Sequence, residues 1–383
     1  MLERTLSLSP GSVRLSAGDL RPDGPAPVGV ARLGVGEPDF ATPEPIVAAG
    51  VRALRQGWMH YGDLNGDPEL RALAADLASG GSASRYAPEQ VLISNGATSA
   101  VTAAISTLVS PGDRVVLLDP SYSLFGSAVL AADGQADYVA LDPSGHLDLE
   151  QLDCALTGAR ALVIINPANP VGTVYRREEL EALAEMCRRE GTIVIADEVC
   201  DHFIFDDRTF TSCLTIDAWR EQLVYIQSCS KTYAMTGWRV GYLIAPPEWA
   251  VEIRRLHRTT VGAVNAAAQR AAITALTHGD RLVAPMRAAY QTRRDLIVDR
   301  INTMPGISAR RPEGGFFVMA RYSLPIDSFQ VASALKDHGV VVRPGREFGP
   351  AGEGHLRISI ATAPEQLTVG LDRIEDWFAT SGG

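Results

Sequence analysis

The chain has 383 residues, 46% hydrophobic and 21% charged, with a formal net charge of −10. An acidic balance without long runs of one sign argues against a nucleic-acid partner, which would call for a basic face or stripe. No apolar run reaches the length of a membrane span and Met1-Leu2-Glu3-Arg4 lacks a signal peptide's apolar segment. Five cysteines without a C-x-x-C pair make structural disulfides and a zinc site poor expectations and point to a reducing cytoplasm.

Residues 1–30 are rich in Pro, Gly and Ser and read as an arm or lead-in. Gly34-Val35-Gly36-Glu37-Pro38-Asp39-Phe40 follows, a tight stretch whose exposed amides suit an anion but which alone reads as a plain turn. A helix is predicted from Pro45 to about Gln56, and Asp67 with Pro68 opens another. From residue 90, short β-branched runs alternate with helical stretches. Val91–Ile93 leads into Ser94-Asn95-Gly96-Ala97-Thr98 and an Ala-rich helix to Val109; Val115–Leu118 leads into Asp119-Pro120-Ser121-Tyr122. Ala161–Ile165 runs into Asn166-Pro167-Ala168-Asn169-Pro170-Val171-Gly172, Thr192–Ala196 into Asp197-Glu198-Val199-Cys200, and Leu223–Gln227 into Ser228-Cys229-Ser230-Lys231; Val240–Ala245 closes the series.

Continuous apolar runs separated by helices predict strands buried on both faces of a mostly parallel sheet. Helical segments are predicted from about Pro247 to Ala275 and from Arg281 to Ile301. Short strands follow at Phe316–Ala320, Val340–Val342 and His355–Ile360, then a final helix from Pro364 to Trp377. The fold class is therefore α/β: a large domain over 45–285 with helices on both sheet faces, and a smaller α+β domain from 1–44 and 286–383.

The polar clusters sit at carboxyl ends of strands, where open α/β sheets bind ligands. They surround a rare residue: Lys231 and Lys336 are the only lysines among 35 basic residues, leaving 33 arginines (35 − 2 = 33). Arginine cannot replace an amine that must lose its proton and form an imine. The set suits pyridoxal phosphate, which needs a lysine, a carboxylate for the pyridine nitrogen, a phosphate cradle and a flat partner for the ring. Lys231 would supply the imine, Asp197 the carboxylate, Gly96-Ala97-Thr98 with Ser228 and Arg239 the phosphate cradle, and Tyr122 the stacking surface. Taken singly, Asp197 reads equally as a cap, Tyr122 as a core aromatic and Arg239 as a surface ion-pair partner. His202 reads as a packed loop residue, and no metal spacing is evident.

The sequence resembles the fold-type I pyridoxal-phosphate enzymes of the class I/II aminotransferase family over nearly its whole length. Ser-x-Ser-Lys…Gly-Trp-Arg-Val-Gly-Tyr (228–242) and Asn-Pro-Ala-Asn-Pro-Val-Gly (166–172) are the most specific pieces. The resemblance implies that Lys231 is the Schiff-base lysine, that Asp197 pairs with the pyridine nitrogen, that Asn169 donates to the ring 3-oxygen and that Tyr122 stacks. It implies phosphate contacts from Ala97, Thr98, Ser228 and Arg239, and a substrate carboxylate on Arg357 with help from the Gly36 amide. Tyr61 matches a tyrosine that reaches the neighbouring subunit's phosphate, which implies a homodimer with shared sites. Three departures stand out. Cys200 occupies the place of a tyrosine that bonds the ring 3-oxygen, Val171 replaces a threonine, and Thr98 stands where aspartate-specific relatives carry lysine, which speaks against an acidic substrate.

The expected reaction is transamination between an L-amino acid and a 2-oxo acid. The alternative, motivated by Cys200, is elimination, replacement or ring formation on a specialised amino acid; a non-catalytic regulatory module would normally carry a DNA-binding segment, for which residues 1–30 are too short and poor in positive charge. Substrate choice is expected from residues 1–36, Tyr61 to Asn65 and the loop Thr259–Asn265.

Overall fold

The computed structural model describes residues 29–82 and 84–381. The expected arm over residues 1–30 therefore lies almost wholly outside the described residues. After a two-residue strand, β1 (Ala31–Arg32), the six predicted apolar runs and one further strand form a seven-stranded sheet. Its members are β2 (Val91–Ser94), β3 (Arg114–Asp119), β4 (Gln135–Ala140), β5 (Ala161–Ile165), β6 (Ile193–Asp197), β7 (Leu223–Ser228) and β8 (Gly241–Ile244). The order is β2-β8-β7-β6-β5-β3-β4, and every pair is parallel except the two that involve β8.

Side-chain alternation explains why these runs are apolar throughout. Val91, Ile93, Val116, Leu118, Leu162, Ile164, Val194 and Ala196 pack into one core, while Leu92, Val115, Leu117, Val163, Ile165, Ile193 and Ile195 pack into another across the sheet. The edge strand β4 escaped the sequence reading because only one side is paired and its residues, Gln-Ala-Asp-Tyr-Val-Ala, are mostly half-buried or exposed.

The predicted helices form with small changes at their ends, at Glu44–Arg55, Pro68–Ser79 and Ala97–Leu108. The Asp67 carboxylate accepts from the Glu69 amide at 2.9 Å, satisfying an orphan donor of the first turn. The stretch from Pro247 divides into helices Pro247–Thr260 and Ala266–His278, because Asn265 restarts the chain by accepting from the Ala268 amide at 2.9 Å. Helix Asp280–Ile301 contains residue 285, so the expected domain boundary falls inside a continuous helix.

The later chain builds an antiparallel four-stranded sheet in the order β12-β13-β10-β9, from β9 (Ile307–Ala309), β10 (Phe317–Tyr322), β12 (Arg343–Pro344) and β13 (His355–Ser359). The expected strand Val340–Val342 is shorter: β11 (Val340–Val341) pairs in parallel with β1, and the next residues move to β13. No helix among the described residues is long and apolar enough to cross a membrane.

Candidate active site

Parallel pairing brings the carboxyl ends of β3, β5, β6 and β7 to one edge of the large sheet, and the reversed β8 returns β2 to the same direction, so its carboxyl end joins them beside a cavity of about 360 Å³. Ala97, Thr98, Tyr122, Asn169, Asp197, Cys200, Ser228 and Lys231 all line it. Arg239 lines it too, although it precedes a strand. Because β8 runs antiparallel, its amino end lies at that same edge. Gly36 and Arg357 arrive from the smaller sheet's side and complete the wall. Tyr61 is not brought in; it is 95% exposed.

Lys231 sits in a single turn, Cys229–Thr232, that Ser228 caps by accepting from the Ser230 amide at 3.1 Å. Its Nζ donates to the Gly36 carbonyl, joining segments 195 residues apart. Burial lowers the pKa of this amine, which favours the neutral, nucleophilic form. Gly36 must be glycine here, since a β-carbon would lie 2.4 Å from the Phe317 ring.

Asp197 ends β6, flanked in register by Ile165 and Ile226. Its Oδ1 accepts from the Val199 amide at 3.1 Å. It has no salt bridge among the described residues, and burial pushes its carboxyl up to about 6. A cationic ring nitrogen would offset that cost. Cys200 is beside it, and burial holds the thiol well above its ordinary pKa, so it stays protonated and a weak donor.

At the far end, helix Ala97–Leu108 begins with no side-chain cap. The first-turn amides and the helix dipole thus suit an anion. Gly96, at φ +79, leaves space where a β-carbon would be 2.5 Å from Arg239 Nη2. Arg239 donates to the carbonyls of Thr236 (2.8 Å) and Asn95 (3.3 Å) and has no carboxylate partner among the described residues. Open amides and an arginine without a counter-ion fit a phosphate; the carboxylate of Asp197 fits the opposite end of a flat, cationic ring.

Arg357 is a buried cation without a carboxylate partner among the described residues. Nη1 donates to Asn169 Oδ1 at 3.3 Å and Nη2 to the Gly34 carbonyl at 2.9 Å, while Nε has no partner. The guanidinium lies 3.7 Å from the Phe317 ring centroid and 4.4 Å from that of Phe348. With Oδ1 of Asn169 engaged, its amide N–H groups are left to donate to a ligand oxygen.

Ser230, Thr236, Phe317, Arg343 and Glu347 also line the cavity and were missed from sequence. Ser230 lay inside the quoted motif. For the last two, the only signal was an oppositely charged pair four residues apart in Arg343-Pro344-Gly345-Arg346-Glu347. Neither Tyr61–Asn65 nor Thr259–Asn265 lines the cavity, whereas Gly34 and Val35 do. His202 lies outside it, its ring nitrogen 2.6 Å from the Asp201 carboxylate.

The family model for class I and II aminotransferases matches residues 28–374. An aspartate aminotransferase of Thermotoga maritima is 35% identical over 352 residues, covering 91% of each chain. The structure of an aromatic aminotransferase from Pyrococcus horikoshii superposes with a TM-score of 0.89 at 32% identity, covering 97% of this chain and 99% of that one. Thermus thermophilus aspartate aminotransferase with maleate gives 0.86 at 32% identity, covering 97% of both. These relatives carry aminotransferase names, and the elimination reading gains nothing from them. With the match spanning nearly the whole chain and a strand-edge cavity of this chemistry, the protein belongs to the class I and II aminotransferase family.

Proposed function

We propose that this chain is a pyridoxal 5'-phosphate-dependent aminotransferase that exchanges the amino group of an L-amino acid for the carbonyl oxygen of a 2-oxo acid. The observation that carries this reading is a buried lysine placed in one cavity with a carboxylate, Asp197, and an arginine, Arg357, neither of which has an ion-pair partner among the described residues. When bound, the cofactor supplies an aldehyde carbon that can carry the amino group and a ring that withdraws electrons from it.

The chain's own residues bind, orient and move protons. The amides of Ala97 and Thr98, with Ser228 and Arg239, hold the phosphate. Asp197 would keep the ring nitrogen protonated, Tyr122 would supply an aromatic surface for the ring, and Asn169 with Cys200 would be the donors for the ring oxygen. Arg357 holds the substrate α-carboxylate, so the α-hydrogen is presented to Lys231. Nζ of Lys231, its pKa lowered by burial, would take the α-proton as a general base. We further infer a cytoplasmic homodimer in which the exposed Tyr61 reaches its partner's site, and a division into a domain over 45–285 and one from 1–44 with 286–383. The pairing of Ala31–Arg32 with Val340–Val341 supports that division.

Holoenzyme incubated with each L-amino acid should lose the visible absorbance of bound cofactor with at least one donor, and a 2-oxo acid should restore it. An unchanged spectrum with every donor defeats the proposal.

A further inference from the structure

Arg343 and Arg357 are direct cross-strand partners in the antiparallel pair β12–β13, so both side chains leave the same sheet face and both line the cavity. Gly34 lies between them: its carbonyl accepts from Arg357, and a β-carbon there would be 3.4 Å from the Arg343 stem. The two arginines differ in one respect. Arg357 has no carboxylate partner among the described residues, whereas Arg343 donates from Nε to Glu347 Oε2 at 2.6 Å and from Nη2 to Oε1 at 2.5 Å. Ser123 adds a third donor to the same carboxylate at 3.3 Å. Both line the cavity, but the Glu347 side chain is 1% exposed and that of Arg343 20%, so the arginine is the more accessible member of the pair. Nη1 of Arg343 makes no hydrogen bond within the described residues.

We propose that Arg343 reads the substrate side chain and that Glu347, by neutralising it, tunes this subsite for an uncharged hydrogen-bond acceptor such as an amide oxygen rather than a second carboxylate. The inference rests on Arg357 holding the α-carboxylate. Once that carboxylate is bound, the two arginines are balanced by it and by Glu347. A further carboxylate would leave one buried anion without a partner, or would have to draw Arg343 away from a bidentate pair. An amide oxygen needs neither, because Nη1 can donate while Nε and Nη2 keep their partner.

The test uses the holoenzyme and two unreactive ligands of matched shape, succinamate and succinate, with dissociation constants measured by calorimetric titration. The wild type should bind succinamate at least about tenfold more tightly than succinate, the scale of one charge-assisted hydrogen bond lost or mispaired. Glu347→Gln should move the ratio at least about tenfold toward succinate, and Arg343→Met should bring the two ligands within about threefold of each other. Equal or tighter succinate binding by the wild type overturns the proposal and depends on no variant folding. A ratio unmoved in both folded variants overturns it as well. Alanine, which has no distal polar group, separates this from the parent reading. If wild-type holoenzyme consumes alanine while the ligand ratio fails, only the subsite is wrong; if no donor reacts, the aminotransferase reading itself falls.

Discussion

A β-carbon added to Gly96 would lie 2.5 Å from Nη2 of Arg239, in a backbone conformation of φ +79 that L side chains rarely adopt. Gly96→Ala must therefore strain the turn or push the guanidinium away. We expect a stability loss of about 1–3 kcal/mol and weaker retention of the cofactor on dialysis. Denaturant midpoints and a cofactor titration read the two effects separately. An alanine variant matching the wild type in both would show that this turn does not set the phosphate site.

Arg357 pairs with no carboxylate among the described residues and is held by Asn169, the Gly34 carbonyl and two phenyl rings. Replacement by methionine should preserve that packing and remove the anion partner. Loss of a buried charge-assisted contact of about 2–5 kcal/mol predicts a rise in KM for amino donors of at least about 30-fold. Cofactor affinity should change little, since the proposed phosphate cradle of Ala97, Thr98, Ser228 and Arg239 does not include Arg357. A KM that stays put, or cofactor loss as the main effect, contradicts the assignment.

Arg294 is a structural counterpart, far from the chemistry. Its side chain is 1% exposed, and it donates to both Asp206 oxygens at 2.7 Å and to the Pro312 carbonyl at 2.9 Å. Removing one member of a buried pair leaves the rest unsatisfied, but Asp206 is 42% exposed and can be rehydrated. Arg294→Met should therefore cost about 2–3 kcal/mol, less than for a fully buried pair, with KM for the amino donor unchanged. Urea unfolding monitored by circular dichroism checks the magnitude, and an unaltered midpoint would refute it.

His257 is completely buried, and neither ring nitrogen has a hydrogen-bond partner among the described residues. Burial lowers its pKa, so the folded protein takes up this proton later than the unfolded chain does. The sign follows: stability is full above the unfolded pKa of about 6.5 and is lost as pH falls from there toward the lowered folded value. His257→Leu removes that contribution. Its melting temperature should fall less steeply than the wild type's between about pH 7 and pH 5. Parallel slopes would mean that His257 is not titrating in this window.

Most of the site was legible because ligands of a parallel sheet gather where strands end, and strand ends can be found from apolar runs alone. Asp197, Tyr122 and Lys231 were placed that way, whereas Asn169 was singled out only by the family resemblance. Arg239 broke the rule, since it precedes β8, and it reaches the same edge only because that strand is reversed. The polar edge strand β4 was invisible for a related reason: with one side unpaired, it carries no continuous apolar run.

What the sequence determined by itself was the α/β architecture, the rarity of Lys231 and the chemistry its neighbours could support, all consequences of local pattern and residue type. What only the tertiary structure decided was the second wall of the cavity. Gly36, Arg343, Glu347 and Arg357 come from segments more than a hundred residues from Lys231, and their meeting depends on how β1, β11, β12 and β13 pair. Both arginines leave the same sheet face, and what separates them is the turn Gly345–Phe348, which sets Glu347 against Arg343 while no carboxylate among the described residues reaches Arg357. Residue type gives both arginines the same charge; only their packing gives them different work.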